Sequence, residues 1–388
     1  MLVHGQLDLL ARRIPCEFGF ASATMREWQI RCSRFPRETA KLRFNMELPN
    51  PSRIIQVGMG FWASKVLLSA VRLKLFTFLG DSAKSTVEIR DQLHLQTGTR
   101  HVRDWLDAMV SLGFLQRDGI MESAIYSNTP ATAIFLDQTK STYMGGILEM
   151  ANNRLYRFWG DLEEALLTGR PQNESKHGNM HFFQELYQSP EKLHEFVDAM
   201  SSFQAGNFMM LVQAFNFSNY KTVADLGGAD GFLCCTIAQH HPNVACTTYD
   251  LPPVKAVAEE RIRRSNLSDR VRAANFDIDK EPSFPAADVV VMGNVLHGYD
   301  EATKQRMIRK TYAAVNEGGV FIAIENIIDN ERTKNTLGIL MSLNMLIENG
   351  DGFDYSHQDF DKWACAAGFQ KTEVIPLAGP TSAAIAYK

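Results

Sequence analysis

The run Thr222-Val223-Ala224-Asp225-Leu226-Gly227-Gly228-Ala229-Asp230-Gly231, followed by Tyr249-Asp250-Leu251-Pro252, constrains this chain more than any other feature. An apolar strand enters a glycine turn, a helix opens behind the turn, and a second short strand ends on an acid. Open α/β sheets hold a nucleoside with such a unit, and the ligand lies beyond the carboxyl ends of the strands. Strands are expected near 222–227, 245–251, 271–277, 288–296 and 318–327, with helices between them. Thr372–Leu377 and Ser382–Tyr387 follow, separated by the turn Ala378-Gly379-Pro380-Thr381, so the final strand returns antiparallel. The expected fold is α/β: a doubly wound parallel sheet closed by a hairpin.

The glycine order narrows the ligand. A dinucleotide turn reads G-x-G-x-x-G, whereas Gly227, Gly228 and Gly231 read G-G-x-x-G with Asp225 inside the strand end. Asp225 and Asp230 would repel a pyrophosphate but tolerate an ammonium. S-adenosylmethionine (SAM) has no phosphate; it carries an amino-acid end, a sulfonium and a ribose. The glycines let backbone approach the amino-acid end, and the helix N-terminus behind them favours its carboxylate. Asp250, followed by Leu251, ends the second strand where an acid accepts hydrogen bonds from ribose hydroxyls. A glycine turn in an ordinary α/β protein would explain the glycines alone. It would not explain Asp250 and Leu-Pro at this offset.

At 388 residues the chain has room for two domains, or for one with a large annex. Its formal net charge of -4 provides no electrostatic reason to seek nucleic acid or anionic lipid. The apolar runs read as strand-length, short of a membrane span. Cys16, Cys32, Cys234, Cys235, Cys246 and Cys365 show no C-x-x-C, which points to reduced intracellular thiols and no metal site. Residues 1–48 hold seven arginines and a single lysine, one form that an organelle transit peptide takes. Asp8, Glu17, Glu27, Glu38 and Glu47 weigh against that reading. The plainer expectation is a cytoplasmic protein with a poorly ordered extension, or residues upstream of a start near Met46.

Residues 49–145 read as a helical domain. Ile54 to Phe78 is a long amphipathic stretch, Ser85-Thr86-Val87-Glu88 is a capping box, and Thr99–Leu112 is a helix closed by Gly113. Two short strands then form a wing, so the domain is winged-helix-like. Its arginines are interleaved with Asp91, Asp104, Asp107 and Asp118, which leaves no basic face for DNA and favours dimerisation. Residues 146–220 are helical and rich in methionine and aromatic side chains. Most belong to a core, and a minority should line a pocket for an apolar or aromatic substrate. Residues 221–388 carry the sheet.

Three ionisable residues fall at the sheet's carboxyl edge besides the nucleoside-side acids. His297 follows the fourth strand, Glu325 ends the fifth, and Asp354 follows the loop Asn349-Gly350-Asp351-Gly352-Phe353. A histidine there can serve as a general base, and a carboxylate can fix its tautomer. A lone histidine at a strand end is as readily a cap or a core hydrogen-bonder; the joint placement of the three residues favours catalysis. Methyl transfer to a phenol needs such a base, because a phenol with pKa about 10 is protonated at neutral pH. A thioether or thiolate acceptor would need none, so a sulfur-directed transferase is the competing reading. A SAM-responsive winged-helix regulator is a third.

The chain resembles the SAM-dependent O-methyltransferases that include the plant caffeate, chalcone and isoflavone enzymes, acetylserotonin methyltransferase and bacterial relatives. The resemblance covers about residues 50–388. It rests on Asp225 to Gly231, Asp250-Leu251-Pro252, Leu296-His297-Gly298-Tyr299-Asp300, Glu317-Gly318-Gly319 and Ala366-Ala367-Gly368-Phe369. It implies a Rossmann-like sheet with an N-terminal winged-helix dimerisation domain, a homodimer and a small-molecule acceptor. It also implies SAM contacts at Gly227, Asp250 and Asp277, His297 as base, and Glu325 and Asp354 as its flanking acids. Met200 and Met345 match methionines that sandwich an aromatic acceptor. With Trp159, Phe203 and Asn344 they make up the candidate acceptor pocket. The chain departs from the family in having Gly298-Tyr299 where Asp-Trp is usual, Gly293 where several relatives have lysine, and Asp354 in place of a glutamate.

Overall fold

The central strands form because their sequences have nowhere polar to face. Val289-Val290-Val291-Met292 is apolar on both sides of the pleat, as suits a strand covered by helices on both faces. In the computed structural model, which describes residues 50–177, Leu186 and 189–388, Val289 to Met292 and Val320 to Ile324 are fully buried. Burying each such side chain contributes about 1.5–3 kcal/mol. Residues 1–49, with the basic extension, Cys16 and Cys32, lie outside the described residues.

The main sheet comprises β4 (Thr222–Leu226), β5 (Ala245–Asp250), β6 (Val271–Asn275), β7 (Ala287–Gly293), β8 (Val315–Glu325), β9 (Lys371–Pro376) and β10 (Ser382–Tyr387). Their spatial order is β6-β5-β4-β7-β8-β10-β9. The first five run parallel, and β10 lies antiparallel between β8 and β9, as expected from the sequence. Chain order runs outward from β4 to β6, then restarts on the other side at β7. The crevice between β4 and β7 is therefore the switch point at which such sheets bind ligands.

Side chains alternate across the sheet with period two. Val223, Val289, Val291, Ile322 and Ile324 pack on one face with Leu233 and Ile237. Ala224, Leu226, Val290, Met292, Phe321 and Ala323 pack on the other with Met307, Ile308 and Phe360.

The chain from Gly60 to Lys388 forms one compact unit. It opens with α1 (Gly60–Arg72), α2 (Thr86–Gln92) and α3 (Thr99–Ser111), followed by the antiparallel hairpin β2 (Leu115–Asp118) and β3 (Ile125–Asn128). The short β1 (Lys84–Ser85) adds to β3. The capping box is formed: the Ser85 amide donates to Glu88 Oε2 at 2.7 Å and the Glu88 amide to Ser85 Oγ at 3.3 Å. Arg117 and the Tyr126 hydroxyl both bond Asp107, at 2.7 and 2.9 Å, so the interleaved charges are paired.

Two expectations need correction. The single stretch Ile54–Phe78 is broken: helices Ser52–Gly58, α1 and Leu75–Leu79 replace it, and Lys74 takes a left-handed φ of 58° between the last two. Nor are apolar runs limited to strand length. The helical stretch Ser52–Arg72 is 21 residues long and contains an 18-residue window of mean hydropathy 1.5, long and apolar enough to cross a membrane by length and composition. Ser64, Lys65 and Ser69 interrupt it, which hid the average from a reading of uninterrupted runs.

Candidate active site

The glycine turn after β4 works by close approach. Gly227 has φ 72°, and a Cβ there would lie 2.8 Å from Val295 Cγ2. A Cβ on Gly228 would lie 2.3 Å from Thr248 Oγ1 and 2.4 Å from Asp225 Oδ2. Neither position accepts a side chain without rearrangement. Gly231, φ 74°, opens α5 (Phe232–His240). The Gly227 amide donates to the Tyr249 carbonyl at 2.8 Å, tying the turn to the end of β5.

The acids of this region take different places. Asp250 accepts from the amides of Ala229, at 3.0 Å, and Leu251, at 2.7 Å, so it braces the turn it faces. Burial pushes its carboxyl up to about 6 against those two bonds. Asp225 lies beneath the turn, and burial, then the charge of Asp250, push it up to about 7. Asp230 is paired with Arg261 Nη2 at 2.5 Å. Asp277 is half-buried beyond β6 and accepts from Lys280 Nζ at 2.7 Å and the Asp279 amide at 3.2 Å; the lysine bond leads in holding its carboxyl low.

The catalytic candidates converge. β7 ends at Gly293, three residues earlier than the sequence implied, because Asn294 turns left-handed with φ 53°. The following 3₁₀ turn, Leu296–Gly298, carries His297 into the sheet edge, where it is 8% exposed. Its amide donates to Glu325 Oε1 at 3.0 Å, and Glu325 is the last residue of β8. Its ring Nδ1 lies 3.4 Å from Asp354 Oδ1, a long contact. Asp354 is fully buried, and its amide donates to Ser342 Oγ at 3.2 Å. Glu325 Oε2 and both Asp354 carboxylate oxygens are buried without a hydrogen-bond partner among the described residues. Burial is the largest influence on the imidazole and pulls it down; Asp354, through the contact and its charge, and Glu325 outweigh it, so the net direction is up. Burial raises the Glu325 carboxyl, and the charge of His297 opposes this.

The acceptor-side candidates are only partly gathered. Trp159 Nε1 donates to Asn344 Oδ1 at 2.9 Å. Asn344 and Met345 are buried on α8 (Thr336–Asn349), whose last residue, Asn349, donates to the Gly298 carbonyl at 3.2 Å beside the histidine turn. Met200 and Phe203 are half-buried on the helix Pro190–Ala214. That helix reaches the nucleoside side: Phe208 packs edge-on against Phe232, their centroids 5.8 Å apart.

Two groups escaped the sequence reading. Arg154 bridges Glu174, at 2.6 Å, and Glu348, at 3.1 Å, behind Trp159 and Asn344. Lys304, on the helix Glu301–Ala314, is fully buried near Glu325 and Asp354. One signal was available for it. Lys304 shares a helical face with Met307, Ile308 and Thr311, all buried.

Comparison with known proteins agrees with this fold. The family model of the O-methyltransferase domain matches residues 159–370, and that of the O-methyltransferase dimerisation domain matches residues 55–138, which includes most of the apolar stretch Ser52–Arg72. The chain is similar to the tetracenomycin polyketide synthesis 8-O-methyl transferase of Streptomyces glaucescens, 34% identical over 338 residues, covering 87% of this chain and 97% of that one. Its fold is similar to human N-acetylserotonin methyltransferase in complex with SAM, with TM-score 0.78 at 24% identity, over 88% of this chain and 99% of that one. It is also similar to PigF with SAH, with TM-score 0.76 at 26% identity, over 88% and 100%.

Proposed function

This chain belongs to the O-methyltransferase family, and from that premise we propose that it methylates a hydroxyl oxygen of a small molecule with His297 as general base. The methyl donor is S-adenosylmethionine. The residues present fit that donor. The Gly227–Gly228 cradle admits backbone approach that a Cβ would block. Among the described residues, Arg261 is the one arginine bonded to the turn and is engaged by Asp230, while Asp225 and Asp250 lie at the base of the turn, a setting hostile to pyrophosphate and suited to a cation and ribose hydroxyls. Gly227, Gly228, Gly231 and Leu251 would present backbone, Asp250 would take the ribose, and Asp277 would face the far end of the nucleoside.

When bound, the donor supplies an electrophilic methyl on a sulfonium. The acceptor's hydroxyl oxygen is the nucleophile, and the chain supplies the base that activates it. His297 takes the hydroxyl proton as the oxygen attacks, and the proton stays on the imidazole. Glu325 holds the backbone of that residue, and Asp354 faces the ring nitrogen, so the ring is oriented and the imidazolium favoured. Trp159, Asn344 and Met345, with Met200 and Phe203, are the proposed walls for the acceptor.

The convergence of His297, Glu325 and Asp354 at the switch-point edge carries the reading. A sulfur acceptor would need no base. The test is His297→Gln, assayed for transfer from labelled SAM to a panel of phenols, with SAM binding followed by calorimetry. Turnover should fall at least 100-fold, with SAM affinity within a few-fold of wild type. Undiminished turnover would overturn the assignment of the base. A homodimer formed through residues 55–138 completes the proposal.

A further inference from the structure

The helix Glu301–Ala314 leaves the histidine turn and carries a lysine back into the protein. Lys304 is fully buried, a rare state for an ammonium without partners. Its Nζ donates to the Tyr299 carbonyl, two residues beyond His297. It also sits over the ring of Phe353, 3.4 Å from the centroid, and Phe353 immediately precedes Asp354. One ammonium thus grips the turn carrying the base and the loop carrying the acid. The charged groups around it are Glu325, Asp354, Asp300 and Asp351, with His297 the cation it opposes. The Tyr355 hydroxyl adds a further titratable group next to Glu325.

Charge balance gives this grip a purpose. Glu325 and Asp354, ionised, place two negative charges beside one imidazole. Those charges would drive the ring to its cationic form, and a base that already holds a proton cannot take one. A fixed positive charge in the same pocket offsets them.

We propose that Lys304 is a positioning residue for the transfer: it clamps the His297 turn to the Asp354 loop, and its charge opposes the pull of the two buried carboxylates toward the imidazolium, leaving more of the resting ring neutral. The proposal rests on His297 being the base, and its test separates the two ideas. His297 is titrated by NMR in the full chain with labelled histidine, its signal assigned by its loss in His297→Gln. The pH profile of kcat/KM is measured alongside, in wild type, Lys304→Met and Lys304→Arg. In Lys304→Met the His297 midpoint should rise by roughly one pH unit, the size expected for one nearby charge in a protein interior. The acid limb of kcat/KM should move with it, and Lys304→Arg should restore both. An unmoved midpoint in folded Lys304→Met overturns the role of Lys304. A midpoint that moves while the acid limb stays in place supports Lys304's effect on the ring and overturns His297 as base. If Lys304→Met does not fold, the wild-type His297 signal decides: a second inflection near pH 8, where burial has lowered the ammonium, supports the coupling, and its absence overturns it.

Discussion

Asp225 shows how a single carboxyl sets conditions for the rest. In the folded chain burial and the charge of Asp250 carry it up to about 7 from an ordinary value of 3.8. A carboxyl raised on folding stabilises fully only below its unfolded value, and that contribution is lost as pH climbs to the folded one. The cofactor-free protein should therefore lose stability between about pH 4 and 7, by an amount on the order of a few kcal/mol from this group. Asp250 acts in the same direction up to about 6. Asp225→Asn removes the Asp225 part, so the gap in urea midpoint between variant and wild type should widen from pH 4.5 to 7 and then hold constant. Parallel curves would show that Asp225 ionises in the fold as easily as in the unfolded chain. At this scale the sequence was legible wherever a residue belonged to a local pattern. Asp250 and His297 each follow a strand and could be placed by counting. Lys304 was harder to place: its spacing with Met307, Ile308 and Thr311 puts it on the buried face of its helix, but a lysine in a polar-looking helix reads as solvated, and its partners Tyr299 and Phe353 are brought in by tertiary folding.

Two elements meet closely where the loop before Asp354 crosses the histidine turn. A Cβ on Gly352 would lie 2.7 Å from the His297 carbonyl oxygen and 2.9 Å from the Gly298 carbonyl carbon, both backbone atoms that have little room to yield. Gly352→Ala should therefore push the base and its acid apart. The expected cost is about 1–3 kcal/mol of stability, with kcat lowered more than tenfold and SAM affinity retained, read by denaturation, kinetics and calorimetry. A variant with wild-type kcat would mean that the two loops are not held in register by this contact. The strands were legible to within a few residues because apolar runs and glycine turns are local signals. The breaks were less so. The left-handed Lys74 after α1 carries no glycine or proline to announce it, whereas the turn that frees His297 from β7 did have a local signal in Gly293-Asn294, two residue types that favour turns. The acceptor walls were the least legible, since Trp159 and Asn344 meet across 185 positions of chain.

For the whole molecule, the exposed apolar side chains of α1 matter most. Phe61 and Trp62 are 52% and 62% exposed, and both lie within the segment matched by the dimerisation domain. Large apolar side chains left in water at such a place mark an interaction surface. Sedimentation of the full chain should give a dimer, and Phe61→Asp with Trp62→Asp should shift it toward monomer with the far-UV spectrum unchanged. A wild-type monomer at micromolar concentration would overturn the homodimer.

The burial of His297 bears on the timing of the cycle. On the proposed chemistry each turnover leaves a proton on a ring that is 8% exposed and walled by carboxylates. Water has little access to that proton while an acceptor or its product fills the pocket. Departure of the methylated product and return of the ring to its neutral form are then linked, because the next acceptor meets a competent base only after the proton has left.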